Sequence, residues 1–201
     1  MSPPASPDPT PNNDGHHFRL MIGYSPSFLS TRLRLQAEDR AAPDYAFHML
    51  DAHVGWQYLS QYVDFNLAAR LGVNFYNPTD SASSSSPGFT TFEPGVYASI
   101  HGRPARWIGI GVGIFAGPQI WTGHADVGSS STWNFDPNVT AMIAPELTVR
   151  FYPIGGLSIE AGMRAAFTPD GFSAPTPRNP DARITPSVGT VGALIRAGYS
   201  F

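Results

Sequence analysis

The glycines of Gly111-Val112-Gly113-Ile114-Phe115-Ala116 stand at the spacing GxGxxG/A. That spacing lets a backbone close on a pyrophosphate held at a helix N-terminus. No helical pattern follows it, because the flanking residues alternate with a period of two, so these glycines read as space left on one face of a strand. The six histidines, His16, His17, His48, His53, His101 and His124, raise metal or acid–base chemistry. No two of them stand at the i, i+4 helical spacing of a zinc enzyme, and they fall on different segments. Asn138-Val139-Thr140 matches an N-glycosylation acceptor but opens a strand, which makes it a chance match. No catalytic residue, metal site or cofactor is expected from these motifs.

The elements that carry these residues are constrained first by composition. The chain has 201 residues, 42% of them hydrophobic and only 13% charged. A soluble surface carries about 25% charge, so this chain is poorly equipped for water. Its 12 basic residues are all arginine, the net charge is -3, and no basic run occurs, which removes nucleic acid as a partner. Cysteine is absent, so disulfides and thiolate metal sites are excluded. No stretch of 18 apolar residues exists to make a membrane helix, which leaves a closed barrel as the one way to span a bilayer. Residues 1–15, rich in Pro, Ser, Asp and Asn, read as a disordered lead segment, with residues 16–201 as a single barrel domain. The lead lacks the layout of a secretory signal, and the expectation is that a natural signal was removed before Met1.

Alternation is clearest where Val63, Phe65, Leu67, Ala69, Leu71, Val73 and Phe75 share one parity and Asp64, Asn66, Ala68, Arg70, Gly72 and Asn74 the other. Twelve steps of roughly 3.3 Å, tilted by about 40°, rise on the order of 30 Å, enough to cross an apolar band of about 25 Å. The same pattern recurs at 50–58, 92–100, 107–117, 138–151, 157–167 and 190–201. A first strand falls near Phe18 to Tyr24, and its phase slips by Leu29 to Leu35, which suggests a bulge or an exit from the membrane at Pro26. The total is eight strands. Short turns fall near Ser60, at Gly102 to Arg106 and at Pro153 to Gly156. Long polar loops fall at Gln36 to Asp44, Asn77 to Thr90, Thr122 to Pro137 and Thr168 to Pro186. Outer-membrane barrels put short turns in the periplasm and long loops outside, which sets the predicted orientation.

The predicted fold is all-β, an eight-stranded antiparallel up-and-down transmembrane β-barrel. A soluble barrel with its apolar face inward also alternates. The polar faces decide between them, because Gly109, Gly111, Gly113, Gly117, Gly162, Gly192 and Gly198 suit a crowded lumen better than a solvated exterior. Aromatics gather at both ends: Trp56, Tyr58, Tyr62, Trp107, Phe151, Tyr152, Tyr199 and Phe201 by the short turns, and Phe75, Tyr76, Phe89, Phe92, Trp121 and Phe167 by the long loops. Two girdles of this kind match membrane interfaces.

If the phases hold, Asp51, Asp64, Glu93, Glu146 and Glu160 face the lumen with Arg19, Arg70, Arg150, Arg164 and Arg196. An eight-stranded barrel is filled by its own side chains, so these charges are expected to pair, chiefly as a ladder from Glu146 and Arg150 through Glu160 and Arg164 to Arg196. A narrow channel is the functional alternative. Specificity then belongs to the loops, where His124, Asp126, Trp133 and Phe135 form a candidate contact surface, with a bland loop resting on lipid headgroups as the competing reading.

The last segment, Leu194-Ile195-Arg196-Ala197-Gly198-Tyr199-Ser200-Phe201, resembles the closing strand of the OmpA-like and OmpX-like family of small outer-membrane barrels. That resemblance implies residence in the outer membrane of a Gram-negative bacterium as a monomer, among bilayer lipid and lipopolysaccharide. It also implies delivery by the barrel-assembly machinery, which reads Tyr199 and Phe201 as an assembly signal. It implies no activity. Lipid A deacylases built on eight-stranded barrels carry a His, a Ser and an acid on the outer face. The sequence has no His-x-Ser, and His124-Ala125-Asp126 falls in a loop, so a scaffold without enzymatic activity is preferred to a lipid-modifying enzyme.

Overall fold

The computed structural model describes residues 14–29, 31–35, 38–41, 45–78, 88–126, 132–168, 172–173, 183–186 and 190–201, with side chains within 14–27, 48–75, 90–123, 137–168 and 191–201. Among the described residues twelve strands follow one another: β1 (Gly15–Leu29), β2 (Thr31–Leu35), β3 (Glu38–Ala41), β4 (Tyr45–Leu59), β5 (Val63–Pro78), β6 (Gly88–Ala105), β7 (Ile108–Asp126), β8 (Thr132–Phe151), β9 (Leu157–Ala166), β10 (Phe172–Ser173), β11 (Arg183–Pro186) and β12 (Thr190–Ser200). Eight of them close an antiparallel barrel in the order β1-β12-β9-β8-β7-β6-β5-β4. Closure comes from β1, which pairs with β4 on one side and with β12 on the other, as in Leu20↔Tyr199. A closed ladder leaves no edge, so the barrel backbone is satisfied without water.

The two parities separate as alternation requires. On β5, Leu67, Leu71 and Phe75 are exposed, while Asp64, Asn66, Arg70 and Asn74 are buried. On β7, Ile110, Val112 and Ile114 point outward and Phe115 inward. Every barrel strand contributes large apolar side chains to the outer wall, and the lumen takes the polar set. This is an inside-out globule, whose apolar wall needs an apolar solvent.

The strands outrun the expected membrane segments. The region expected to be a loop from Thr122 to Pro137 is largely ladder, since β7 and β8 still pair at Gly123↔Phe135, His124↔Asn134, Ala125↔Trp133 and Asp126↔Thr132 after an irregularity between Trp121 and Gly123. Polar side chains make the segment look like a loop, but an antiparallel backbone pair satisfies its own N–H and C=O groups whatever the side chains are. The other loop expectations are corrected in the same way. Residues 36–44 contain β3, and residues 168–186 contain β10 and β11. With β2 these make a second sheet in the order β10-β11-β2-β3. Of the expected loop from Asn77 to Thr90, β5 takes the start and β6 the end, and the middle lies outside the described residues, as do residues 1–13.

The expected bulge at Pro26 is absent. β1 keeps one register with β4 from Gly15↔Leu59 through Pro26↔His48 to Leu29↔Tyr45, and its register with β12 is the same at Tyr24↔Ile195 as at Ser27↔Gly192. Proline lacks an N–H, and beside it the Ser25 hydroxyl donates to the Ala193 carbonyl at 2.5 Å, which repairs the ladder locally. The phase slip in the sequence marks the passage from β1 of the barrel into β2 of the second sheet.

Candidate functional site in the barrel lumen

Every charged residue expected in the lumen is there and buried: Asp51, Asp64, Arg70, Glu93, Glu146, Arg150, Glu160, Arg164 and Arg196, together with Arg19. Strand pairing explains part of their contacts, because Arg150 stands opposite Glu160, Glu146 opposite Arg164, and Arg196 opposite Glu160. The rest of the network crosses the barrel. Its pattern is a set of crossbars, and the expected ladder along three neighbouring strands is only one edge of it.

Near the short turns, Asp64 is the hub. Gln57 donates to it at 2.8 Å, Arg150 and the Tyr152 hydroxyl both donate to its other oxygen, and the Arg19 guanidinium lies 3.8 Å away. Arg19 in turn donates to Ser158 at 2.6 Å. Tyr152 lies in the turn after β8, where burial and then the Asp64 carboxylate push its phenol well above its ordinary pKa, so that it remains a donor.

At mid-barrel Arg196 holds Glu146 through two bonds, at 2.5 and 2.7 Å, and reaches Glu160 at 2.9 Å and Asp51 at 3.1 Å. Its guanidinium also lies 5.2 Å from the Tyr97 ring centre. The paired fork matches carboxylate geometry, which makes it the most directional contact in the lumen. One histidine lies at this level and a second nearer the short turns, opposite Asp64. His53 lies 3.4 Å from Asp51 and meets Tyr97 edge-on at 4.8 Å, and His101 contacts Thr148 at 2.7 Å.

Towards the long loops Glu93 is the hub. Arg164 reaches it at 2.9 Å, Gln119 at 2.7 Å and Asn74 at 2.6 Å. Arg70 bonds Asp51 at 3.2 Å and stacks 4.4 Å from the Phe115 ring centre. Beside these charges sits an apolar plug of Tyr97, Phe115, Met142, Ala144 and Ala166. Sequence reasoning put Gln57 and Asn74 on the polar faces of their strands without a role and Tyr152 in an aromatic girdle, and it did not single out Tyr97 or Gln119, which lie on strands whose parity could have found them.

Two aromatics assigned to the girdles belong inside. Trp121 is 3% exposed, and its indole N–H lies 3.3 Å from the Thr140 hydroxyl; its odd number puts it on the parity of Phe115 and Gln119. Tyr152 caps the lumen instead of facing lipid. Tyr76 and Phe89 lie outside the described side chains. Tyr199 and Phe201 are exposed on the turn-side rim, their rings 4.9 Å apart, with the Phe201 N–H donating to the Phe18 carbonyl at 2.9 Å. His124, Asp126, Trp133 and Phe135 take ladder positions at the far ends of β7 and β8, and their side chains lie outside those described. Among the described residues no group of His, Cys, Asp and Glu could hold a metal.

The fold is shared with solved outer-membrane proteins. The chain is similar to OprG of Pseudomonas aeruginosa, at 12% identity over 94% of this chain and 97% of that one, with a TM-score of 0.60. It also aligns with the attachment invasion locus protein of Yersinia pestis (14% identity, 94% and 99% coverage, TM-score 0.48) and with Neisserial surface protein A (12%, 91% and 98%, TM-score 0.49). At 12% identity the likeness to OprG shows the closed antiparallel barrel fold and nothing of activity. No family model matches the sequence, and no curated protein matches it either.

Proposed function

We propose that this chain is a bacterial outer-membrane β-barrel that serves as a closed scaffold, with β7, β8 and the second sheet presented outside the cell and the short turns in the periplasm. The observation that carries the closed-scaffold reading is the lumen: five carboxylates and five guanidiniums, all buried, are joined in one network whose Arg150–Asp64 and Arg164–Glu93 pairs reach across the barrel, each with two strands of the wall between their own. A pore wide enough for solute would keep opposite walls apart, whereas here their side chains touch. The exposed apolar wall supports a bilayer as surroundings, with lipopolysaccharide in the outer leaflet, and the fold shared with OprG supports the outer membrane as the location. Insertion by the barrel-assembly machinery, guided by Tyr199 and Phe201 on the rim, and function as a monomer without enzymatic activity belong to the same proposal.

Planar-bilayer recording tests it. The purified protein is expected to give no steady current, and a stable, ion-selective current would promote the narrow channel in its place. Mass spectrometry of lipid A from cells with and without the protein tests the enzymatic alternative, for which an altered acyl pattern would be the signature.

A further inference from the structure

The turn-side mouth of the barrel holds a pocket that the lumen network leaves unused. It is small and open to solvent, and its polar wall is His17, Gln57, Arg103, Arg106, Tyr152 and Ser200. No lining residue is acidic. Asp64, which Gln57 and Tyr152 contact from the pocket wall, is already engaged by Gln57, Arg150 and Tyr152, and the Phe201 main-chain oxygen lies 3.2 Å from His17 Nδ1.

Arg103 owes its position to an irregularity in β6. The register with β7 shifts between Gly102 and Ala105, so Arg103 leaves the ladder, and its N–H donates to the Tyr62 carbonyl at 2.7 Å. Such shifts re-aim a side chain. The guanidinium then donates to the Ser60 and Arg106 carbonyls and lies 4.6 Å from the Tyr152 ring centre. These partners fix the group without neutralising it, since carbonyls and a ring face carry no net charge. Its Nε is buried without a hydrogen-bond partner, and among the described residues no carboxylate pairs with it. Gln57 is occupied on both sides, giving its amide to Asp64 and accepting from Ser200 at 2.6 Å. The unneutralised donor in this pocket is therefore an immobilised cation.

We propose that the turn-side mouth binds one phosphoryl oxyanion, with Arg103 as the fixed anchor and Arg106 on the rim beside it. A planar guanidinium held in advance loses little freedom when it meets phosphate oxygens, and charge-assisted bonds of this kind are the strong ones. The phosphoryl group comes either from a free periplasmic solute or from a phospholipid headgroup of the adjoining leaflet.

The test is a titration of the full chain, refolded in an uncharged maltoside detergent, with inorganic phosphate while the arginine Nε–H resonances are followed by NMR. The Arg103 resonance is expected to shift saturably, Arg106→Gln is expected to weaken that response roughly tenfold, and Arg103→Gln is expected to remove any saturable shift of the Arg106 resonance. Arg106 lies on an exposed turn, so its variant remains informative if Arg103→Gln fails to fold. No saturable shift in wild type, or an equal shift with sodium chloride at the same ionic strength, overturns the site. Repeating the titration in phosphatidylglycerol nanodiscs separates the sources. An Arg103 signal already displaced and insensitive to added phosphate identifies the headgroup, and a signal that titrates as in detergent identifies the free solute.

Discussion

Arg150 on β8 donates to the Asp64 carboxylate on β5, although β7 and β6 stand between those two strands in the wall. The contact spans the lumen. Arg164 on β9 does the same to Glu93 on β6, with β8 and β7 between them. Such chords fix the distance between opposite walls, so the network sets the bore of the barrel as well as its charge balance. Each removal then leaves a charge in a place that water does not reach.

Glu160 is the acid shared by Arg150 and Arg196, and on that basis Glu160→Ala is expected to destabilise the barrel by roughly 3 to 5 kcal/mol, the usual cost of stranding a buried partner. An exposed ion pair would cost about 0 to 1 kcal/mol. Urea unfolding in detergent, or the temperature at which the compact gel band is lost, measures the difference. A change within the exposed-pair range would mean that water screens Glu160.

Gly111 of the GxGxxG/A string and Gly72 of β5 supply a second, opposite pair of expectations. A Cβ at Gly111 would meet the Ile100 carbonyl at 2.0 Å and the His101 Cα at 2.6 Å, both backbone, whereas at Gly72 nothing lies closer than 3.4 Å. Gly111→Ala is therefore expected to cost about 1 to 3 kcal/mol through overpacking, and Gly72→Ala to be close to neutral. Equal effects in the same unfolding assay would show that the glycines are not read out by packing.

The alternation of Val63 to Phe75 and of Ile108 to Ala116 made the barrel legible, because period two sorts residues between lipid and lumen without any knowledge of partners. The ten lumen charges followed from parity alone. Trp121 was misplaced because it was grouped by composition with other aromatics near the loops, when its parity pointed inward. The Arg150 to Asp64 chord was beyond the sequence, since it depends on closure and on the stagger between strands that are not neighbours. β3, β10 and β11 were hidden for another reason: strands of two to four residues in polar segments carry too few residues to show a period.

Orientation is testable with trypsin added to intact cells. Cleavage is expected at Arg178, between β10 and β11 on the long-loop side, while Arg106 in the short turn after β6 stays intact. Mass spectrometry of the fragments decides. Cutting at Arg106 with Arg178 spared would invert the topology.

Phe201 packs its ring 6.3 Å from that of Phe18 and 4.9 Å from that of Tyr199, all on the exposed rim, so its loss removes little buried surface. Deleting it is expected to leave refolding into detergent nearly unchanged while lowering the amount assembled in cells. Quantifying membrane-inserted protein separates a signal from a packing residue. Equal insertion with and without Phe201 would remove the assembly role.

The closed lumen gives the last expectation, because it couples stability and conductance in opposite senses for the two readings. In the scaffold, Tyr97, Phe115 and Met142 plug one level while Arg196, Glu146, Glu160 and Asp51 lock the next. On the closed-scaffold reading ions have no continuous path through the lumen, so wild type is expected to show no steady current in a planar bilayer. Arg196→Ala strands Glu146 and Asp51 together, and it is expected to lower stability by roughly 3 to 5 kcal/mol. Opening the plug instead, with Tyr97→Ala and Phe115→Ala combined, removes two large buried side chains and is expected to create a conducting path as well as to destabilise the barrel. In an open channel the order would reverse. Water would screen Arg196, its substitution would be thermally quiet, and it would change ion selectivity in a current already present before any mutation. A selective wild-type current together with a thermally silent Arg196→Ala would defeat the scaffold, and a silent wild type that begins to conduct only when Tyr97 and Phe115 are cut back would establish it.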